Sequence, residues 1–323
     1  MNKYMLIGTV ALISSALLTS INQVLYAKWV QNMNPFVYSF LSFSLTLLFF
    51  LIITCIVSLK NKQNKDKTKE NKKNEISYIL ILNTITAIIF ICFYYANKFI
   101  EPAIVSSIEI GIGPIIALSI GLLLKNIKLL KVDVAVCIGI LLGTCILVWA
   151  SITGASGVNV QITNTLNGLI TSFIAGIGMV LATLYSKKLS ELGWTTFKIL
   201  AHRFYMLVPL SFILVLNQNF DDIIQVFLNN WLLITIFTFL GLVIPLYLIQ
   251  VGIKHCNPLF VAVTMSCGPV FTFLFQLIDP RVEWSWTSLS GIVIICLFVV
   301  LKVLYQKQGL KVESVEGETI KHA

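Results

Sequence analysis

The stretch Lys98-Phe-Ile-Glu-Pro-Ala-Ile-Val-Ser-Ser-Ile-Glu-Ile-Gly-Ile-Gly-Pro114 decides the fold, because its plan recurs later in the chain. Lys254-His-Cys-Asn-Pro258 repeats the spacing from Lys to Pro, and Gly268-Pro269 repeats the Gly-Pro pair after a gap that differs by one residue. A Tyr-x-Lys triplet lies near the start of each half, at Tyr26–Lys28 and Tyr185–Lys187. The shared order predicts an internal repeat, against the alternative of chance similarity between apolar segments.

The composition places this repeat in a membrane. Hydrophobic residues make up 57% of the 323 residues, charged residues make up only 11%, and the mean hydropathy is +0.90. A soluble domain is about one quarter charged. The shortfall of charge therefore excludes a soluble enzyme, a disordered regulator and a nucleic-acid-binding domain.

Ten apolar blocks have the length of a membrane-spanning helix, which needs about 20 apolar residues. They cover residues 4–27, 35–59, 76–97, 102–124, 131–151, 166–186, 197–217, 230–251, 258–279 and 286–306. Most are continuously apolar rather than alternating, which disfavours β-strands. The first block is too long for a signal peptide and lacks a clear cleavage site, so we expect it to be retained. The fold class expected is an all-α polytopic membrane protein with ten transmembrane helices.

The basic residues predict how these helices are oriented. With the N-terminus inside the cell, 20 of the 23 Lys and Arg residues fall on the cytoplasmic side, where basic residues that flank spans are retained. Residues 60–75 are then a basic cytoplasmic loop, 307–323 a polar cytoplasmic tail, and both termini are cytoplasmic. The uncharged segment 152–165 and the segment 218–229 are predicted to be outside loops.

Each repeat, 1–151 and 152–306, contains five predicted spans, so the two copies must have opposite orientations in the membrane. Inverted repeats are typical of secondary transporters, which bind substrate near the midplane between the repeats. The Gly113-Pro114 and Gly268-Pro269 pairs fit this interpretation, because they loosen the helix backbone where a cavity can satisfy it. The expected location is the plasma membrane, and the high Lys, Asn and Ile content indicates a bacterial source.

The sequence resembles the drug/metabolite transporter superfamily, in its ten-span branch with two EamA-like repeats. The resemblance covers about residues 4–306. It is carried in the first half by Tyr95-Ala96-Asn97-Lys98-Phe99 running into Pro102 and by Gly113-Pro114, and in the second half by the counterparts Lys254, Pro258 and Gly268-Pro269. It implies a central cavity, lined largely by the first four spans of each repeat, and alternating access. Family substrates range over amino acids, amines, nucleosides and cationic drugs, so the resemblance names no substrate.

One departure from the family pattern concerns the acidic residues. Such repeats often carry an acid near the end of the fourth or ninth span. Here the ninth predicted span ends in Asp279, whereas the fourth ends in Lys125 and carries its acid, Glu109, well inside.

Glu109 is the acid that the sequence places inside a span, about seven residues from its outer end and hence roughly 10 Å deep. A charged side chain at such a depth costs about 3 kcal/mol on insertion scales, so it should face protein or a wet cavity. The functional interpretation is a carboxylate that binds a cation or exchanges a proton. The structural alternative is a carboxylate that bonds a neighbouring span or pairs with Lys98.

The helical repeat predicts two faces for this span. Ala103, Ser107 and Gly111 form a ridge of small residues that lets another helix approach closely, and Glu109 lies about 200° around the helix from Ser107. Pro102, Ser106 and Gly113 share the side of Glu109, which we expect to face the cavity. Comparable ridges at Ala135, Gly139 and Gly143, and at Gly168, Ser172 and Gly176, are interpreted as packing seams.

Other polar side chains within the predicted spans are candidates for contact with substrate. Asn22, Gln23, Asn83, Thr84 and Gln250 could each donate to a substrate, although an interhelical hydrogen bond is the expected role of any single one. Tyr94 and Tyr95 could stack on a cation or anchor the span at the interface. His202 and Arg203 are expected to extend toward the cytoplasm, with a gating ion pair as the alternative.

The motifs of several other classes are missing from the sequence. Its seven cysteines form no Cys-x-x-Cys pair, which argues against a metal site or a disulfide framework. No zinc-protease, serine-hydrolase or P-loop motif occurs, so we expect no enzyme activity, no metal and no cofactor.

The favoured function is a secondary-active exporter of a small metabolite or a cationic or amphipathic compound, driven by the proton gradient or by the substrate's own gradient. The alternative is an importer or facilitator for an amino acid, amine or nucleoside. Two hypotheses come from other classes, a membrane-embedded lipid-modifying enzyme and a receptor or assembly partner that does not transport. The expected partners are a small-molecule substrate and the lipid bilayer, with no nucleic acid and with the oligomeric state left open.

Overall fold

The computed structural model describes residues 3–29, 34–60, 69–123, 131–157, 162–216, 220–298, 300–301 and 305. All regular secondary structure in these ranges is helical. The helices are α1 (Lys3–Trp29), α2 (Pro35–Lys60), α3 (Lys69–Phe99), α4 (Pro102–Gly111), α5 (Gly113–Leu123), α6 (Lys131–Thr153), α7 (Ile162–Glu191), α8 (Thr196–Ala201), α9 (Leu207–Val215), α10 (Phe220–Thr238), α11 (Ile244–His255), α12 (Pro258–Met265), α13 (Gly268–Gln276) and α14 (Trp286–Phe298). A π-helical segment, Phe239–Val243, joins α10 directly to α11.

Within the described ranges, six helical segments are long and apolar enough to cross a membrane. They are Tyr4–Lys28, Pro35–Leu59, Asn74–Phe99, Val132–Thr153, Ile162–Glu191 and Phe227–His255. The other four predicted spans coincide with the helix pairs α4/α5, α8/α9 and α12/α13 and with the shorter α14. The protein is therefore an all-helical, multi-pass membrane protein, and the count of ten spans stays a prediction.

Two predicted loops are wrong in extent. The basic loop 60–75 overlaps α3, which begins at Lys69, and the outside loop 218–229 overlaps α10, which begins at Phe220. In both places a helix continues beyond its apolar part, because polar residues that lie outside the apolar layer can still complete helical turns. Residues 61–68 of the first loop and the predicted tail 307–323 lie outside the described residues.

The Gly-Pro pairs mark two interrupted helices. Ile112 separates α4 from α5, and Ser266 and Cys267 separate α12 from α13. Proline has no backbone N–H, so Pro114 and Pro269 cannot donate to the carbonyl groups of Ile110 and Met265 four residues earlier. Each interruption therefore leaves one backbone carbonyl without its helical donor.

The helices pack in a reciprocal pattern. Helix α1 packs against α11 while α3 packs against α7, and α4 packs against α13 while α5 packs against α12. The contact of α4 with α7 depends on Gly176, where a Cβ atom would lie 2.6 Å from the carbonyl oxygen of Glu109. Only a residue without a side chain allows the two backbones to approach this closely.

Glycine also occupies the other predicted seams. A Cβ at Gly143 would lie 2.6 Å from Ile295 of α14, and one at Gly168 would lie 2.9 Å from Ile100 at the end of α3. Gly111, on the small-residue ridge of α4, lies nearest to Thr144 and Ile140 of α6. Gly111 thus faces α6, on the side of α4 away from the Glu109 side chain.

The bundle has two ends, which we name by a residue at each. At the Lys254 end, the Lys187 ammonium donates to the Lys254 carbonyl and the Tyr78 ring lies 5.7 Å from that of Tyr185. This end gathers the start of α3 and the ends of α7 and α11. At the Glu101 end lie the start of α4, residue Gly157 and the start of α14.

Candidate functional site

Glu109 lies in the last turn of α4, just before the interruption at Ile112. Its side chain is only 5% exposed and borders two small cavities inside the bundle, with volumes of about 70 and 30 Å³. The same two cavities are bordered by Met265, in the last turn of α12 before the second interruption. Glu109 and Met265 are equivalent when the halves are aligned on Lys98 and Lys254, so the two interrupted helices meet at the cavities.

The walls come from both halves of the chain. The larger cavity is bordered by residues of α1, α3, α4, α7, the π-helical segment, α11 and α12, among them Ser20, Gln23, Phe90, Phe93, Ser106, Met179, Gly241 and Leu246. The smaller is bordered by Gly113, Thr183 and Ala262, among others. Both also touch Ile110 and Met265, whose carbonyl groups lack their helical donors. The cavities hold a few water molecules at most, so the conformation described is closed around Glu109.

The Glu109 carboxyl group makes no hydrogen bond or ion pair with any residue in the described ranges. Lys98, the predicted structural partner, is exposed and forms no ion pair with it. A buried carboxyl group without a bonded partner carries a desolvation cost that a folded chain normally avoids. The geometry therefore leaves its oxygen atoms available to the cavities.

Two of the predicted site residues border the larger cavity beside Glu109. Ser106 lies three residues before Glu109 on the same face of α4, and Gln23 projects from α1. The amide nitrogen of Gln23 donates to Asn97 Oδ1 at 3.0 Å and to the Pro102 carbonyl at 2.8 Å. Gln23 thus ties α1 to the end of α3 and the start of α4.

The other three predicted site residues lie away from the lining of these two cavities. Tyr94 packs in an aromatic cluster, with its ring 4.4 Å from that of Tyr26 and 5.6 Å from that of Tyr38. Tyr95 packs against Phe99, with the ring centroids 4.9 Å apart. Asn22 occupies the space beside Gly241 of the π-helical segment, where a Cβ atom would overlap it.

Asn83 satisfies the break between α8 and α9. Its amide nitrogen donates to the His202 carbonyl at 2.6 Å, and its carbonyl oxygen accepts from the Met206 N–H at 3.3 Å. These backbone groups lose their helical partners where α8 ends, and inside a membrane protein they need others. The expected role of Asn83, an interhelical bond, is thus the geometry observed.

Arg203 does not extend toward the cytoplasm as the sequence predicted. The residue is 4% exposed, and its Nε atom donates to Thr86 Oγ1 at 2.9 Å. It follows α8 in the non-helical segment before α9, where the turn directs the side chain toward α3. The prediction was wrong because it treated residues 197–217 as one continuous span, and nothing in their sequence locates this break.

Glu101 is a buried acid whose contacts sequence reasoning missed. It is 1% exposed and accepts hydrogen bonds from the Gly157 N–H at 3.0 Å, from Ser288 Oγ at 3.0 Å and from Gln276 Nε2. These three donors belong to the segment after α6, to α14 and to α13. One carboxylate therefore holds several elements together at the Glu101 end, and the one available signal was its place directly before Pro102.

A second contact joins elements at the same end. Arg281 forms an ion pair with Asp279 at 2.7 Å and donates to the Ala27 carbonyl of α1 at 3.0 Å. Together with Glu101, this contact links α1, α4, α13 and α14 beyond the cavities. The Glu101 end is thus closed by polar contacts.

No group of three or more His, Cys, Asp or Glu side chains among the described residues could hold a metal ion.

The chain belongs to the EamA-like transporter family, whose model matches it twice, over residues 6–149 and 166–304. The two matches show that the chain contains two repeats of the family. Chains of known structure also match, among them a crystal structure described only as that of a protein, with 14% sequence identity. That match covers 92% of this chain and 93% of the other, with a TM-score of 0.59, which shows a shared fold. None of the curated proteins matches the sequence.

Proposed function

We propose that the protein is a secondary-active exporter of a small molecule and that Glu109 is its central binding group. The observation that carries the proposal is the Glu109 carboxyl group itself, which is buried, borders both central cavities and has no bonded partner in the described ranges. Such a group binds the cationic part of a substrate or exchanges a proton against it. Membership of a transporter family supports movement of the bound molecule across the membrane.

The architecture we propose has ten spans, with α4/α5, α8/α9 and α12/α13 each forming one interrupted span and α10/α11 forming one continuous span. The two repeats, 1–151 and 152–306, are then inverted relative to each other, and the Lys254 end is cytoplasmic. When each helix is replaced by its counterpart in the other half, one observed packing contact becomes another. The contact of α1 with α11 becomes that of α7 with α3, and the contact of α2 with α10 becomes that of α9 with α3. This reciprocity supports an inverted repeat.

The mechanism we propose is alternating access around Glu109. The cavities are too small for a metabolite, so a substrate has to enter through a conformation in which one end opens. The interrupted helices provide hinges at Gly113-Pro114 and Gly268-Pro269, because each lacks one backbone hydrogen bond beside the cavities. Opening of the Glu101 end requires the contacts of Glu101 and Arg281 to separate.

The decisive experiment measures transport by purified protein in liposomes with an imposed proton gradient, using ethidium as the cationic probe. A thermal-shift screen of amines, amino acids, nucleosides and dyes at two pH values supplies further probes. The wild type should move a probe against its gradient, and Glu109→Gln should lose the dependence of flux on the proton gradient. The direction of net movement decides between export and import.

Two control variants make this experiment specific. Glu283→Gln removes an exposed carboxyl group and should leave the flux unchanged, and Lys98→Gln should do the same if Lys98 is not the partner of Glu109. Unchanged proton dependence in folded Glu109→Gln would remove Glu109 from the mechanism. Absence of flux with every probe that stabilises the protein would contradict a transporter.

A further inference from the structure

Arg203 is a buried cation that the Glu109 site does not use. Its side chain is 4% exposed, and one N–H group, at Nε, donates to the neutral hydroxyl of Thr86. A guanidinium group has five N–H donors, and no carboxylate of the described residues lies within ion-pair distance of this one. A charged residue placed so within a membrane protein is expensive and faces the bundle interior or a cavity.

The hydrogen bond from Arg203 to Thr86 shows where the Arg203 side chain lies relative to the cavities. Its partner Thr86 lies one helical turn before Phe90 and two turns before Phe93, and both of these phenylalanines border the larger cavity. All three therefore share one face of α3. Arg203 thus contacts the inner wall of the bundle, one turn from the cavity in the direction of the Lys254 end.

Two neighbouring helices carry polar groups at corresponding positions. Gln250 lies one turn beyond Leu246 on the cavity face of α11, and Ser186 lies one turn beyond Thr183 on the cavity face of α7. Both residues are fully buried, and among the described residues neither the amide of Gln250 nor the hydroxyl of Ser186 has a hydrogen-bond partner. Buried polar groups are normally satisfied, so two on adjacent helices point to a ligand that satisfies them.

The helices that carry Ser186 and Gln250 meet at α8. Helix α8, which ends just before Arg203, packs against both α7 and α11, and α7 packs against α11. Each of the three polar residues lies about one turn from the cavity-lining residues, in the direction of the Lys254 end. We name Thr86, Ser186, Arg203 and Gln250 the inner polar group.

We propose that the inner polar group binds a carboxylate or phosphate group of the transported molecule, with Arg203 as its counter-ion. The planar guanidinium group matches the two oxygen atoms of either anion, and the Gln250 amide and Ser186 hydroxyl can donate further hydrogen bonds. The inference rests on the proposed transport function and adds one chemical group to the substrate. The other arginine, Arg281, shows the contrast, since it is paired with Asp279.

The test compares the melting temperature of the purified protein in inorganic phosphate, in propionate and in chloride at equal ionic strength. At saturation one of the two oxyanions should raise the wild-type melting temperature by about 3 °C or more relative to chloride. Arg203→Gln should lose the rise, Arg203→Lys should keep part of it, and Lys254→Gln, which alters an exposed cation, should keep all of it. A response to phosphate alone or to propionate alone identifies the anionic group.

Two results would overturn the proposal: no rise with either anion, or an equal rise in Arg203→Gln. Ethylammonium is run in parallel on wild type and Glu109→Gln, because a response that depends on Glu109 tests the proposed function separately. If neither oxyanion raises the melting temperature but ethylammonium still does so through Glu109, the result rejects this inference and leaves the proposed function standing.

A second measurement covers the case in which Arg203→Gln does not fold. The chain contains two arginines, Arg203 and Arg281, so phenylglyoxal modification followed by mass spectrometry reports both in the wild type. During transport the bound oxyanion should slow modification of Arg203 and leave that of Arg281 unchanged. Equal modification of Arg203 with and without anion, or none under transport conditions, contradicts an anion-binding role.

Discussion

Helices α4 and α12 begin alike and carry different chemistry. Each starts with a proline, and the residue before it is Glu101 in one half and Asn257 in the other. Asn257 caps its own helix, accepting from the Phe260 N–H at 2.7 Å, whereas Glu101 accepts from three distant segments. Further along, Glu109 and Met265 meet at the same cavities.

The comparison shows what the two halves have in common and where they differ. Both retain the proline at the helix start and the Gly-Pro interruption, which are backbone features and determine how a helix bends. Of these two helix starts and helices, only the first carries acids: Glu109 in α4 borders the cavities, and Glu101, directly before α4, holds the Glu101 end together. A similar backbone in both halves therefore surrounds cavities whose only acidic wall residue, among those described, comes from the first half.

The largest expected effect comes from moving the carboxyl group at the cavities from position 109 in the first half to position 265 in the second. Glu109→Met should reduce proton-dependent flux by about 10- to 100-fold, because the interaction of a charged group is lost. Adding Met265→Glu to that variant should restore part of the flux, because position 265 borders the same cavities. The liposome assay measures both, with Glu283→Met as the control for loss of an exposed acid. No recovery in a folded double variant would show that the acid must lie on α4.

The next effect concerns the Glu101 end. Glu101→Ala should lower the free energy of unfolding by about 3 kcal/mol, because three buried donors lose their acceptor. Chemical denaturation of the purified protein in detergent measures the change. Glu191→Ala, at an exposed acid, should change it by less than about 0.5 kcal/mol. Similar stabilities of the two variants would mean that Glu101 does not hold the end together.

The smallest effect is expected at the equivalent position of the second half. Asn257→Ala should lower the free energy of unfolding by about 1 kcal/mol, the usual cost of losing a helix N-cap. Asn257→Asp keeps a capping oxygen atom and should recover most of the loss in the same denaturation experiment. A loss as large as that of Glu101→Ala would contradict a purely local role for Asn257.

Much of the fold follows from patterns that operate within one helix. The apolar blocks locate the helices, the four-residue spacing of small residues locates the seams, and the angle around α4 separates Glu109 from the ridge at Ala103, Ser107 and Gly111. Each of these inferences needs only the helical period. That period also explains why the cavity position of Ser106 could be predicted together with that of Glu109.

The rest depends on distant contacts and could not be predicted in this way. The bonds of Glu101 join residues more than 50 positions apart, and nothing in its neighbours selects those partners. The burial of Arg203 depends on a break after α8 that Asn83 satisfies from another helix. The packing of Tyr94 and Tyr95 against other rings was not visible in the spacing.

The π-helical segment Phe239–Val243 sets the rotation of everything that follows it in α11. A π turn holds one residue more than an α turn, and one residue corresponds to about 100° of rotation around the axis. Forcing the same residues into ordinary α-helix would turn Leu246, Ile249 and Gln250 away from the interior together, whereas deleting one residue from the segment would keep all three on the interior side. The length of this one turn therefore decides which side of α11 borders the cavities.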